Sequence, residues 1–216
     1  MAEKGKLSRE KVLEAAVTFV DREGLEALSM RKLGAELGVE AMSLYNHIPN
    51  KSALLDGMVR YVLEELEVPR TRDTWEEQIK DGYRRFRSIA QKHPNVFPLL
   101  INRPPSFPDG LWLLERYLKI MTDAGFGMKE SFHVFRILTN YTFGYAMSEI
   151  RGFALEARDG NRRKNRYEIP REFTGVIQLR PYLGNIDHDY EFELGLDLII
   201  SGLRDRTSHT RRQPTR

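Results

Sequence analysis

Ser43, Tyr45, Asn46 and His47 bring two hydroxyls, an amide and an imidazole together within one short stretch of chain. Groups of these types donate to phosphate oxygens and read the edges of bases. Arg31 and Lys32 precede them and Lys51 follows, so positive charge brackets the cluster on both sides. The chemistry on offer is recognition of a polyanion rather than bond breaking. Glu130 and His133 form an E-x-x-H spacing, which on a helix puts both side chains on one face for metal binding. A carboxylate-bridged metal bundle needs a second such pair and two further inward carboxylates, and no second pair occurs. H-E-x-x-H, G-x-S-x-G, P-loop and G-x-G-x-x-G patterns are also absent. With no cysteine in the chain, disulfides, thiolate catalysis and cysteine-containing zinc sites are excluded. The expectation is a protein that is not an enzyme and that carries no cofactor or metal.

The elements that must position these groups are helical. Ser8 can cap a first helix whose apolar residues Val12, Leu13, Ala16, Val17 and Val20 share one face, and Gly24 ends it. Ser29 opens a short second helix through Met30, Leu33 and Leu37, closed by Gly38. A third covers residues 41–46 and stops near Pro49. Asn50 caps a fourth, with Leu54, Leu55, Met58, Val62, Leu63 and Leu66 along it, until Pro69. Residues 29–51 (SMRKLGAELGVEAMSLYNHIPNK) therefore read as helix, glycine turn and second short helix, the layout of a helix-turn-helix. Gly38 allows the tight turn, and Val39, Leu44 and Ile48 can lock the second helix inward.

Beyond a bend at residues 68–73 the pattern predicts helices over 74–92, about 97–101, about 109–123, 129–151, 170–178 and 190–205. His93-Pro94 ends the first of these, and His93 reads as a helix-end histidine rather than a ligand. Residues 155–171 are charged and unpatterned and read as a mobile loop, and the basic tail 206–216 as disordered. The RRK cluster at Arg162 to Lys164 and the pair Arg211 and Arg212 read as solvated. No stretch alternates like a strand, so the fold class is all-α with nine or ten helices. The domains expected are 1–67, a three-helix DNA-binding head with its connector helix, and 68–205, a larger helical domain.

The chain has 216 residues, 41% of them apolar, with 34 basic against 31 acidic side chains. A net charge of +3 does not describe a polycation. Residues 1–67 hold nine Lys/Arg and twelve Asp/Glu, so the head itself is net negative. DNA binding must then rest on local placement of Arg31, Lys32, His47 and Lys51, with Lys4, Lys6 and Arg9 in the N-terminal arm, while Glu14, Asp21 and Glu23 face away. Affinity should fall steeply with salt. No apolar run approaches the ~20 residues that span a bilayer and the N-terminus lacks a secretory pattern, so a cytoplasmic protein without membrane partners is expected.

The segment LSMRKLGAELGVEAMSLYNHIPNKSALLDGM resembles the DNA-binding domain of the tetracycline-repressor (TetR) family, and GVEAMSLYNHIPNKSALLD carries the resemblance most specifically. HPNVFPLLINRP, AGFGMKES, TFGYAMSE and YEFELGLDLIISGL look like pieces of the ligand-binding and dimerisation domain of its tetracycline-repressor class. The resemblance implies that residues 41–47 are a recognition helix in the major groove. It places Ser29, Met30 and Arg31 at the end of the supporting helix nearest DNA, Ala41, Met42 and Ser43 at base-facing positions, and Tyr45, His47 and Lys51 as phosphate clamps. Asn46 joins them on the outward face. With small or apolar base-facing residues, thymine-methyl contacts compete with hydrogen-bonded readout. Family dimers present two heads to a palindrome with half-sites about one helical turn (~34 Å) apart.

The resemblance also implies an effector pocket from about Pro69 onward, coupled to dimer geometry. The composition agrees: Phe86, Ile89, Phe97, Leu99, Leu100, Trp112, Tyr117, Met121, Phe132, Phe135, Thr139, Phe143 and Met147 can line a cavity, with Asn102, Arg103 and Ser148 as polar contacts. Tetracycline-responsive members hold a magnesium–drug chelate with histidine and glutamate. The matching positions here are Leu99 and Ser148, with Glu149 adjacent, and Glu67 stands where another drug-contacting histidine falls. The effector is therefore expected to be a small apolar or aromatic molecule rather than a tetracycline–magnesium chelate. The dimer seam is expected on residues 129–151 and 190–204, packed with their mates as a four-helix bundle, with Leu196 and Ile200 in the seam. The function expected is a ligand-responsive regulator, a repressor, that binds a palindromic operator as a homodimer. The alternatives are a helical protein-interaction scaffold or a metal-carboxylate bundle enzyme.

Overall fold

The computed structural model describes residues 7–66, 74–103, 111–152, 170–179, 181–182 and 186–210, with side chains to 204. The bend expected at 68–73, the domain division at 67/68, nearly all of the loop expected at 155–171 and the last six residues lie outside them. Every regular element among the described residues is helical. The helices are α1 (Arg9–Glu23), α2 (Met30–Glu36), α3 (Ala41–Tyr45), α4 (Lys51–Glu64), α5 (Trp75–Lys92), α6 (Leu99–Asn102), α7 (Leu111–Asp123), α8 (Met128–Arg151), α9 (Thr174–Gln178) and α10 (His188–Thr210). A single 3-10 turn at Leu25–Ala27, which the sequence pattern did not suggest, bridges α1 and α2. The chain forms two compact units, residues 1–137 and 138–216, so the division falls inside α8.

Helix starts at Ser8, Ser29 and Asn50 follow the expected caps, and Thr74, expected as the first residue of its helix, caps α5 as well. Ser8 accepts from the Lys11 N–H at 3.3 Å, Ser29 from Lys32 at 3.2 Å, Asn50 from Ala53 at 2.9 Å and Thr74 from Glu77 at 3.4 Å. Each satisfies an otherwise orphaned amide and stabilises its helix by roughly 1 kcal/mol. Behind these starts, Val12, Ala16, Val20, Leu33, Leu44, Leu54, Met58 and Val62 close a dry core shared by α1 to α4. In the rest of the first unit, Ile79, Tyr83, Ile89 and Ala90 of α5 are buried, as are Tyr117 and Met121 of α7. Arg22 of α1 holds Glu36 of α2 with two parallel bonds of 3.0 Å. That pair raises the guanidinium and lowers the carboxyl from their ordinary values.

In the second unit, Phe192, Leu196, Ile200 and Leu203 of α10 are buried. Tyr141 of α8 stacks on Phe192 at 5.6 Å and donates its hydroxyl to the Phe192 carbonyl at 3.0 Å. Tyr145, one turn along α8, donates to the His188 carbonyl at 3.0 Å. The last helix corrects the expected disordered tail: α10 runs through Thr210 rather than ending near Asp205. No proline or glycine follows Asp205 until Pro214, so nothing in the backbone stops the helix there.

Candidate nucleic-acid interface and effector domain

The turn between α2 and α3 is built by two glycines. Gly38 has φ +65°, a conformation that side chains rarely adopt. Gly34, inside α2, lies so close to the next segment that a Cβ there would sit 2.9 Å from the Val39 carbonyl and 3.1 Å from the Ala41 amide. The Val39 N–H in turn bonds the Gly34 carbonyl at 2.9 Å. Gly34 is thus what lets α3 cross tightly over α2, a role the sequence pattern assigned to Gly38 alone.

Leu44 and Ile48, 0% and 1% exposed, hold α3 down against the core, and Val39 is half-buried beside them. The opposite side of α3 faces out. Met42 is 71% exposed, Tyr45 is 42% exposed and Asn46 is exposed, while Ala41, Ser43 and His47 are half-buried. At the start of α2, Arg31 and Lys32 are exposed and Ser29 is half-buried. Met30 departs from the expectation: its side chain is buried in the core of the head, leaving only its backbone at the helix start. Lys51 is exposed, and its Nζ donates to the Leu28 carbonyl at 2.9 Å, pinning the start of α4 to the chain that enters α2. An ammonium carries three donors, so this tie leaves capacity for a phosphate. The acidic groups expected to face away include Asp21, which is partly buried and turned to His93 at 2.6 Å.

The candidate effector residues divide between the two units. In the first, Ile89, Leu99, Tyr117 and Met121 are buried and Phe86 and Phe135 are half-buried. Tyr117 packs edge-on against Phe135 at 5.2 Å and against Tyr83 at 6.3 Å. Phe86 meets Phe97 at 5.5 Å. Trp112 and Asn102 are exposed, so on the single chain they line no interior. Arg103, expected as a polar contact for the effector, instead bonds α4: its Nη1 lies 2.6 Å from the Asp56 carboxylate and 3.0 Å from the Ser52 hydroxyl. Thr139, Phe143 and Ser148 are half-buried in the second unit. Tyr83 was not among the expected residues. Its hydroxyl donates to the Phe135 carbonyl at 3.2 Å, and only its place on the apolar face of α5 hinted at it. Among the described residues no group of three or more His, Asp or Glu could hold a metal ion.

Residues 12–58 match the family described as "Bacterial regulatory proteins, tetR family", and residues 68–207 match "Tetracyclin repressor-like, C-terminal domain". The chain belongs to the TetR family. Several relatives place this TetR-family chain more closely. It is 32% identical to the HTH-type transcriptional repressor DrrR1 of Streptomyces coeruleorubidus over 71% of its own length and 58% of that relative's, so it matches less than two thirds of DrrR1. The class A tetracycline repressor protein from transposon 1721 in Escherichia coli is 28% identical, covering 93% of this chain and 92% of that protein. The structure of the Streptomyces coelicolor TetR family protein ActR in complex with actinorhodin superposes with a TM-score of 0.74 at 29% identity, covering 93% of this chain and 98% of that one. The family is one of bacterial regulatory proteins, and the chain carries its helix-turn-helix head ahead of a larger helical domain. Among the described residues no helix is long and apolar enough to cross a membrane.

Proposed function

We propose that this chain is a cytoplasmic homodimeric repressor that grips a palindromic operator through α3 and leaves it when a small apolar or aromatic effector binds. The observation that carries the reading is the two-sidedness of α3, with Leu44 and Ile48 sealed beneath while Met42 and Tyr45 stand in solvent. Ala41, Met42 and Ser43 face the bases, and Tyr45, Asn46, His47 and Lys51 take phosphates, with Ser29 and Arg31 at the start of α2. Relatives named as repressors and a structural neighbour solved with actinorhodin support an effector-responsive repressor.

The effector site draws on Phe86, Ile89, Leu99, Tyr117, Met121 and Phe135 of the first unit. An inducer acts only through different affinity for the DNA-competent and DNA-incompetent states. Moving the dimer from almost wholly one to almost wholly the other takes about 5.5 kcal/mol of such difference. Helix α4 is the lever, joined to α6 through Arg103 and Asp56. The dimer uses α8 and α10, and Tyr190, Leu194 and Leu198, exposed on α10, supply the apolar contact. Leu196 and Ile200, first expected in that seam, are buried within the single chain.

Selection of bound sequences from random duplex DNA tests the reading. A palindrome with half-sites about one helical turn apart supports it, and a pool with no enriched sequence overturns it.

A further inference from the structure

Tyr117 is 6% exposed, yet its hydroxyl has no hydrogen-bond partner among the described residues. Buried tyrosine hydroxyls nearly always find a partner, and an orphan is destabilising. Its ring stands edge-on to both Phe135 and Tyr83, so the orphaned group is set among aromatic faces. The Tyr83 hydroxyl in this cluster is already engaged on the Phe135 carbonyl. Burial, with the neighbouring Tyr83 adding to it, pushes the Tyr117 phenol up from its ordinary value, so at neutral pH the group keeps its proton and can donate.

We infer that the effector is a flat aromatic molecule bearing a ring carbonyl or equivalent acceptor oxygen, which receives the hydrogen bond of the Tyr117 hydroxyl. This rests on the effector reading above and adds to it the class of ligand. Aromatic walls recognise the ring system by edge-to-face contact, and one donor fixes its orientation. The free protein then carries an unfavourable group that ligand binding relieves, which stabilises the bound state selectively.

The test compares the full-length protein with Tyr117→Phe, which removes the hydroxyl and keeps the ring. Two probes of the same shape, 9-fluorenone and fluorene, differ by the ring carbonyl alone and are titrated against intrinsic tryptophan fluorescence. The expected result is that the wild type prefers fluorenone by about tenfold and that the variant holds both probes nearly equally. The ligand-free variant should also melt a few degrees higher, roughly 2–4 °C, because the orphaned group is gone. A purely structural hydroxyl, bonded to a trapped water, would instead give a lower melting temperature with no change in probe preference, and that overturns the inference. Equal binding of both probes by the wild type overturns the acceptor while leaving an aromatic effector site standing. Binding of neither probe overturns the aromatic effector site and the inference together.

Discussion

His93 places its Nδ1 2.6 Å from Oδ2 of Asp21, joining the residue that caps α5 to the end of α1 across 72 positions of sequence. The other ring nitrogen lies 3.3 Å from both carboxylate oxygens of Glu65, just past α4. Asn95 adds a bond to the Asp21 carbonyl at 3.0 Å, and Lys92 holds Glu65 at 2.6 Å. One buried ring therefore ties the first and fourth helices of the head to the first helix of the following domain.

Replacing His93 with alanine should destabilise the protein by about 1–3 kcal/mol, because two carboxylates lose a partner and Asp21 Oδ1 has none among the described residues. Urea denaturation measures this, with an unchanged midpoint as the opposing result. Operator affinity of the folded variant should stay near that of the wild type, while release by effector becomes weaker.

The same cluster gives a pH dependence. Burial raises the Glu65 carboxyl, but the bonds from Lys92 and His93 outweigh it and hold the group below its ordinary value. A carboxyl lowered on folding contributes stability that is fully present above its unfolded value of about 4.3 and is lost as pH falls through the folded value. Glu65→Gln should therefore cost stability at pH 7 and much less near pH 3. Melting temperatures across that range, for both proteins, decide it; a constant difference would remove the ion-paired role of Glu65.

Much of this was legible in the sequence. The helix starts at Ser8, Ser29, Asn50 and Thr74, and the inward Leu44 and Ile48, follow from cap chemistry and periodicity, which are local. What was not legible depends on residues far apart. Nothing near His93 marks Asp21 as its partner, and nothing near Arg103 announces Asp56, 47 positions away. Met30 sits at the first position of its helix, where spacing alone fits either the core or the groove, and the structure buries it. Gly34 looks like an ordinary helix-weakening residue until the crossing of α3 is seen to need its missing Cβ.

Gly195 shows the same close-approach logic in the second unit. A Cβ there would overlap the ring and hydroxyl of Tyr141, which stacks on Phe192. Gly195→Ala should destabilise by roughly 1–3 kcal/mol through overpacking and loss of the Tyr141 bond to the Phe192 carbonyl. Gly202 lies seven residues on, with open space around it, and Gly202→Ala should stabilise by up to about 1 kcal/mol. Thermal melts of the pair read the contrast, and equal shifts in both would show that the Tyr141 contact is not limiting.

Exposure on α10 separates the contacts proposed for the dimer from the core. Leu194→Glu with Leu198→Glu alters residues 43% and 67% exposed and should yield a folded monomer that no longer binds its palindrome. Leu196→Glu should instead unfold the chain, since that side chain is 0% exposed. Sedimentation with circular dichroism distinguishes the two, and a double variant that remains dimeric puts the seam elsewhere.

In the proposed complex α3 reads bases symmetrically in two half-sites. Parallel selections from random duplex DNA with the wild type and with Met42→Gln test it most directly, since Gln favours adenine where an apolar side chain does not. The expected result is one palindrome whose preferred base pair changes at a single, symmetry-related position in each half. An identical consensus from both proteins would contradict the placement of α3 in the groove.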